Sequence, residues 1–172
     1  MQLPSCLQHQ RKKSIFFLQT ETSFNRDYAS NYSLTIANQN SSVNLDLVVS
    51  RRISDPVWNL LTMHMTFAKE NAWSKIMSFD LNFCELLQQS KTPGFQLLGV
   101  WMNNVRKYGE LPRECPIREG HYTWRNFKID KNSIPNFVAK GYYRLGVLMY
   151  IRRNDQREML MNSTVDLMVK NK

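Results

Sequence analysis

Hydrophobic residues recur at every second position through much of the chain. Leu45, Leu47 and Val49 alternate with Asn44, Asp46 and Val48, and Leu61, Met63, Met65 and Phe67 alternate with Thr62, His64 and Thr66. Tyr143, Leu145, Val147, Met149 and Ile151 repeat the pattern, and Met159, Met161, Val165 and Val169 repeat it less regularly. Successive side chains of a strand point to opposite faces, so this period predicts half-buried β-strands. The runs are bounded by turn-forming stretches: Ser54-Asp55-Pro56, Lys69-Glu70-Asn71 and Arg153-Asn154-Asp155-Gln156. Strands of about 8 to 12 residues, without the helical spacers that parallel βαβ units require, predict a mostly β fold of two packed antiparallel sheets.

One segment follows a different period. Between Phe83 and Tyr108, Leu86, Leu87, Phe95, Leu98, Trp101, Met102 and Val105 fall at spacings of three and four, which is one face of a helix. Thr92-Pro93-Gly94 divides this stretch into a short helix and a longer one. Gly109 and Pro112 end the second, with Arg106 and Lys107 in its last turn, where the helix dipole favours cations. The expected architecture is therefore a two-sheet antiparallel β-sandwich with a helical insertion at about 83–108.

The chain has 172 residues, one domain's worth, and with 42% hydrophobic residues it has the material for a core. Its most apolar run, 141–151, is broken by Arg144 and falls short of the ~18 residues of a membrane-spanning helix. Near the amino end, Arg11-Lys12-Lys13 precedes Ser14-Ile15-Phe16-Phe17-Leu18 in the order of a leader. The apolar part is shorter than the ~7 to 15 residues a leader needs, and Gln19-Thr20-Glu21-Thr22 turns polar at once. Residues 1–22 read as a basic tail or defective leader, and residues 23–172 as a single domain.

Candidate chemistry is sparse. Three cysteines, Cys6, Cys84 and Cys115, show no C-x2-C spacing, which argues against a metal site; they allow one bridge at most, or three free thiols. A Cys84–Cys115 bridge would pin both ends of the helical insertion. The histidines His9, His64 and His121 are far apart, and no H-E-x-x-H, phosphate loop or G-x-S-x-G is present. His64 reads as a sheet-face residue, and Glu110, Glu114 and Glu119 beside Arg113 and Arg118 read as solvated ion pairs. No catalysis, cofactor or metal is expected.

The formal charge of +9 admits acidic partners. Trp124-Arg125, Tyr143-Arg144 and Arg51-Arg52 interleave aromatic and basic residues as single-strand binders do, but they are scattered over several strands, so nucleic-acid binding stands as a remote alternative. Arg144, opposite in facing to Tyr143, is expected to meet solvent or a carboxylate, with Asp80 as the candidate. Sequons occur at Asn31, Asn40 and Asn162, a number that chance approaches in a chain this rich in Asn, Ser and Thr.

The most specific string is Cys115-Pro116-Ile117 with Gly120, Tyr122 and Asn126, followed by Ile134-Pro135 and Gly141-x-Tyr143-Arg144. Upstream stand Asp80-x-x-x-Cys84-x-Leu86-Leu87 and Asn31-Tyr32-Ser33-Leu34. From roughly Phe24 to Lys170 the chain resembles a fly-abundant family of small secreted insect proteins, mostly of unknown function. That family is in turn similar to the ML lipid-recognition and ganglioside-activator proteins. The resemblance implies an immunoglobulin-like, ML-like sandwich whose sheets splay around an apolar cavity, a Cys84–Cys115 disulfide and an extracellular location. Some relatives are linked to chemosensory responses. The leader is where this sequence departs from the family.

A cavity needs large, adaptable apolar side chains, and nine Met and four Trp supply them. Met63, Met65 and Met149 on strands, with Phe95, Leu98, Trp101 and Met102 on the flap, are the candidate ligand contacts. The expectation is a secreted, monomeric binding protein for a lipid or hydrocarbon, with a receptor or membrane surface as a further partner. The alternative is a secreted protein-interaction or co-receptor module with a filled core.

Overall fold

The computed structural model describes residues 13–68, 72–89, 102–134 and 138–171. Its strands are β1 (Lys13–Phe24), β2 (Ala29–Ala37), β3 (Ser42–Val49), β4 (Trp58–Thr66), β5 (Ser74–Asn82), β6 (Gly109–Glu110), β7 (Gly120–Phe127), β8 (Gly141–Arg153) and β9 (Gln156–Asn171). A five-stranded sheet runs β1-β9-β8-β4-β5 and a four-stranded sheet β2-β3-β7-β6. Every strand pairing is antiparallel, so the fold is the two-sheet sandwich that the alternation predicts.

The turns follow from their residues. Asn154 and Asp155 have φ of 49° and 59° and close the β8–β9 hairpin between Arg153 and Gln156. Two left-handed central residues make the turn whose twist suits a hairpin, and Asn and Asp tolerate that conformation. Asn38, Gln39 and Asn40 are likewise left-handed between β2 and β3. The Asn40 carbonyl accepts from Phe17 N at 2.8 Å, and Leu34 O accepts from Thr20 Oγ1 at 2.8 Å, so β1 is fastened to the edge of the facing sheet.

β1 changes the domain boundary read from the sequence. The pattern alone assigns residues 1–22 to a tail or leader, whereas residues 13–22 belong to β1 and pair with β9 from Lys13↔Asn171 to Phe24↔Met161. Phe17 is buried there. The apolar run that resembles a leader is an edge strand packing one face on the core.

The insertion begins as α1 (Phe83–Gln89), capped by Asn82 Oδ1, which accepts from Glu85 N at 3.2 Å. A second helical segment occupies residues 102–106. Phe95, Leu98 and Trp101 lie outside the described residues. Cys84 and Cys115 form a disulfide with Cα atoms 5.6 Å apart, joining the start of α1 to the loop after β6. Beside it, Ile53 and Ile117 form an isolated bridge between their backbones.

The pairing proposed for Arg144 is corrected. Arg144 binds Asp166, its partner across the β8–β9 ladder, and not Asp80. Asp80 instead accepts from Tyr150 Oη at 2.7 Å, and from Arg157 and Arg152 at 3.1 and 3.4 Å. Antiparallel register decides both partners, and sequence spacing carries no information about it.

Candidate functional site

The strand registers lay out the inner face of the five-stranded sheet as rows that cross it. One row is Leu81, Asn59, Met149, Met161 and Phe24; the next is Phe79, Leu61, Val147, Ser163 and Thr22; a third is Met77, Met63, Leu145, Val165 and Thr20. Burial along these rows falls from β9 towards β5. Met161 and Ser163 are buried, Met149, Val147, Leu61 and Met63 are half-buried, and Phe79 is 50% exposed.

Topology accounts for the gradient. The sheets are fastened at β1 and β2, so counting inward from that edge sets four strands against five. The last of the four, β6, has only two residues. Among the described residues β5 therefore has no counterpart strand, and the inner faces of β4 and β5 keep contact with solvent.

The core divides accordingly. One buried cluster gathers Tyr32, Leu45, Leu47, Phe83, Leu87, Met102, Ile151 and Met161, with Tyr122, Trp124 and Met149 against it. A second holds Phe17, Val43, Tyr143, Leu167 and Val169, with Met63, Met65 and Leu145 against it. Leu61, Val147 and Phe79, the middle row, belong to neither. Among the described residues this leaves an apolar strip on the inner face of β4, β5 and β8, which we call the trough, whose middle row belongs to neither cluster and whose β5 end, at Phe79, is half exposed.

Polar atoms in this region fall into two groups. The Tyr32 hydroxyl hydrogen-bonds Ser163, and burial pushes its pKa up. Asn59 Oδ1, on the first row, and Trp124 Nε1, on β7 of the facing sheet, are buried without a hydrogen-bond partner. No charged side chain among the described residues is buried.

The outer face of the five-stranded sheet is built differently. The guanidinium of Arg152 lies 3.8 Å from the Trp58 ring centroid, that of Arg157 4.8 Å from Tyr150, and that of Arg144 4.6 Å from Trp73. Such stacking covers the rings and keeps the charges at the surface. His64 shares this face with its ladder partner Arg144, as a sheet-face residue would.

The sequence candidates are distributed over the fold. Met102 is 3% exposed and belongs to the first cluster, which Met149 also joins, whereas Met63 and Met65 pack on the second. They flank the trough from its two ends and do not form one patch. Asn31 is half-buried in β2, Asn40 is exposed in the β2–β3 turn, and Asn162 is exposed in β9. Arg113–Glu110 and Arg118–Glu114, at 3.5 and 3.6 Å, are the solvated pairs expected around Cys115. His121 sits 2.8 Å from Asp46, which Arg125 also binds at 3.0 Å. Among the described residues no group of three or more His, Cys, Asp or Glu could hold a metal ion.

Sequence reasoning missed Leu61, Val147 and Phe79 as trough residues, and Asn59 and Trp124 as carriers of buried polar atoms without partners. For Asn59 a signal exists: it shares the parity of Leu61, Met63 and Met65, so a polar side chain stands at an apolar position of β4.

Two depressions lie on the surface, lined by residues other than those of the trough. One, of about 390 Å3, runs beside Leu111, Pro112, Pro116 and Tyr122, and one, of about 580 Å3, beside Phe67, Tyr142 and Met168. No described helix is long and apolar enough to cross a membrane.

No curated protein matches the chain. Residues 61–145, from the middle row of β4 through the disulfide and β7 into β8, are similar to a family described as protein of unknown function, DUF1091.

Proposed function

We propose that the protein is a secreted binding protein for a hydrophobic ligand, which it holds between its sheets without covalent chemistry. One observation carries the reading: the inner faces of β4 and β5 are apolar yet incompletely covered, with Phe79 half exposed. A trough of this kind loses solvent contact when an acyl or hydrocarbon chain fills it. At ~0.8 kcal/mol per buried CH2, ten methylenes contribute about 8 kcal/mol before the costs of association. The resemblance to the fly-abundant family, some of whose members are linked to chemosensory responses and which is in turn similar to ML lipid-recognition proteins, supports this use of a two-sheet sandwich.

The Cys84–Cys115 disulfide supports the extracellular part of the reading, because structural disulfides persist in oxidising compartments. The test is native mass spectrometry of the chain secreted from insect cells behind a borrowed signal peptide. A retained mass that leaves on organic extraction, with the bridge oxidised, is the expected result. A bridged protein that carries nothing and takes up no added lipid would overturn the proposal.

A further inference from the structure

Where β4 ends beside the start of β8, the described chain presents its most exposed large apolar side chain. Phe67 follows the last residue of β4 and is 76% exposed. Thr66 Oγ1 donates to Ala68 O at 2.9 Å, which pins the chain on either side of it. The Tyr143 hydroxyl donates to Ala139 O at 2.8 Å and holds the entry to β8, which carries Lys140. Phe67, Lys140, Tyr142, Met168 and Lys170 line the surface depression of about 580 Å3, and no carboxylate lines it. The Lys170 ammonium stands 5.6 Å from the Phe16 ring centroid, which carries the mixture of apolar surface and cation on to β1.

Charge at this end has one dominant sign. Among the described residues, the starts of β1 and β5, the β7–β8 loop and the end of β9 carry Lys13, Lys75, Lys128, Lys131, Lys140 and Lys170 against the carboxylate of Asp130. These cations are lysines, whereas Arg144, Arg152 and Arg157 on the outer face each bind a carboxylate. An arginine fork suits a carboxylate fixed in place, while a lysine is a point charge on a flexible stem, suited to a surface whose anions move. A free phosphate would meet the lysines and leave Phe67 in water. A bilayer containing anionic lipid meets both, because aromatic rings settle at headgroup level and lysines are drawn to its negative potential.

We infer that this end of the sandwich docks on a membrane surface that carries anionic lipid, with Phe67 entering the headgroup layer and Lys140 and Lys170 holding the lipid phosphates beside it. Docking does not require the trough to be filled, so it goes beyond the proposed ligand binding and the two fail separately.

Co-sedimentation of the full chain with phosphatidylcholine vesicles, with and without phosphatidylserine, tests the inference. Phosphatidylserine is expected to raise partitioning about fivefold for each lysine engaged, roughly 25-fold for Lys140 and Lys170 together, and high salt to remove the gain. Phe67→Ser is expected to lower partitioning about tenfold. Lys140→Glu combined with Lys170→Glu is expected to abolish the response to phosphatidylserine. Arg51→Glu combined with Arg52→Glu makes the same change of charge between β3 and β4, at the opposite end of the sandwich, and should retain that response. Equal partitioning onto both vesicle types, or none, in the unmodified chain would overturn the inference without any variant. Equal losses in the two double variants would also overturn it, because net charge and not this end would then govern binding. Thermal unfolding of each variant shows that it is folded, which the exposure of Phe67, Lys140 and Lys170 leads one to expect.

Discussion

Arg144 grips Asp166 directly across the β8–β9 ladder, its Nε and Nη2 each 2.7 Å from a different carboxylate oxygen. The Asp166 side chain is only 14% exposed, and the guanidinium rests on the Trp73 ring. A forked, stacked and partly sheltered pair holds its geometry better than an ordinary surface ion pair. Asp166→Asn is expected to cost about 1 to 2 kcal/mol, a fall of roughly 5 °C in Tm for a domain of this size. Arg144→Lys should lose most of the same stability, because an ammonium cannot form the fork. Calorimetry of both variants checks this, and a Tm unchanged in Asp166→Asn would contradict it.

Asp80 holds the opposite end of the same face. Arg152 and Arg157 stand opposite each other in the β8–β9 register, a repulsive arrangement, and both reach the one carboxylate. Asp80→Asn should therefore destabilise the fold by about 1 kcal/mol in dilute buffer, and by less as salt screens the two guanidiniums. The difference in Tm between the unmodified chain and the variant, followed from low to high salt, is expected to shrink. A difference independent of salt would show that the Asp80–Tyr150 hydrogen bond alone matters.

The disulfide closes a loop with a sequence separation of 31 residues. Constraining the unfolded chain to that extent contributes about 3.7 kcal/mol on the loop-entropy relation. Replacing both Cys84 and Cys115 by Ser is expected to lower Tm by roughly 10 °C. Thermal unfolding of the oxidised chain and of the double variant measures the difference directly.

Stability should fall at both ends of the pH range, for different reasons. Hydrogen bonds from Arg125, and then from His121, hold the Asp46 carboxyl below its ordinary value of 3.8. Its contribution is fully present above that value and is lost as pH falls through the lower folded one. Burial pushes the hydroxyls of Tyr28, Tyr32 and Tyr143 above their ordinary value of 10.0. Their contribution is fully present below pH 10 and is lost as pH rises through the raised values. Denaturation profiles should show a shallower acid limb in Asp46→Asn and a shallower alkaline limb in Tyr32→Phe.

The alternation that reveals β3, β4 and β8 persists because each keeps one phase over the residues that face the core. β9 reads less regularly because a bulge opposite Met149 and Tyr150 places both Leu160 and Met161 in the core. β5 escapes the pattern for a similar reason: its register with β4 shifts between Met77 and Lys75, leaving Ile76 unpaired and 51% exposed. β1 is obscured by Arg11-Lys12-Lys13 before Ile15-Phe16-Phe17, an order that suits a leader as well as an edge strand. The site is less legible than the fold. The methionines announce adaptable apolar surface, but which row stays uncovered depends on β6 having two residues and on the four-against-five match of the sheets.

The central claim is that the trough floored by Leu61 and Val147 receives the ligand, and filling that space tests it most directly. Binding of N-phenyl-1-naphthylamine would be titrated in the unmodified chain and in Val147→Phe, with thermal unfolding of each measured alongside. Val147→Phe is expected to abolish saturable binding while Tm holds or rises, because the added ring occupies the space the probe would fill. Undiminished binding in a folded Val147→Phe protein would place the ligand elsewhere and contradict the account.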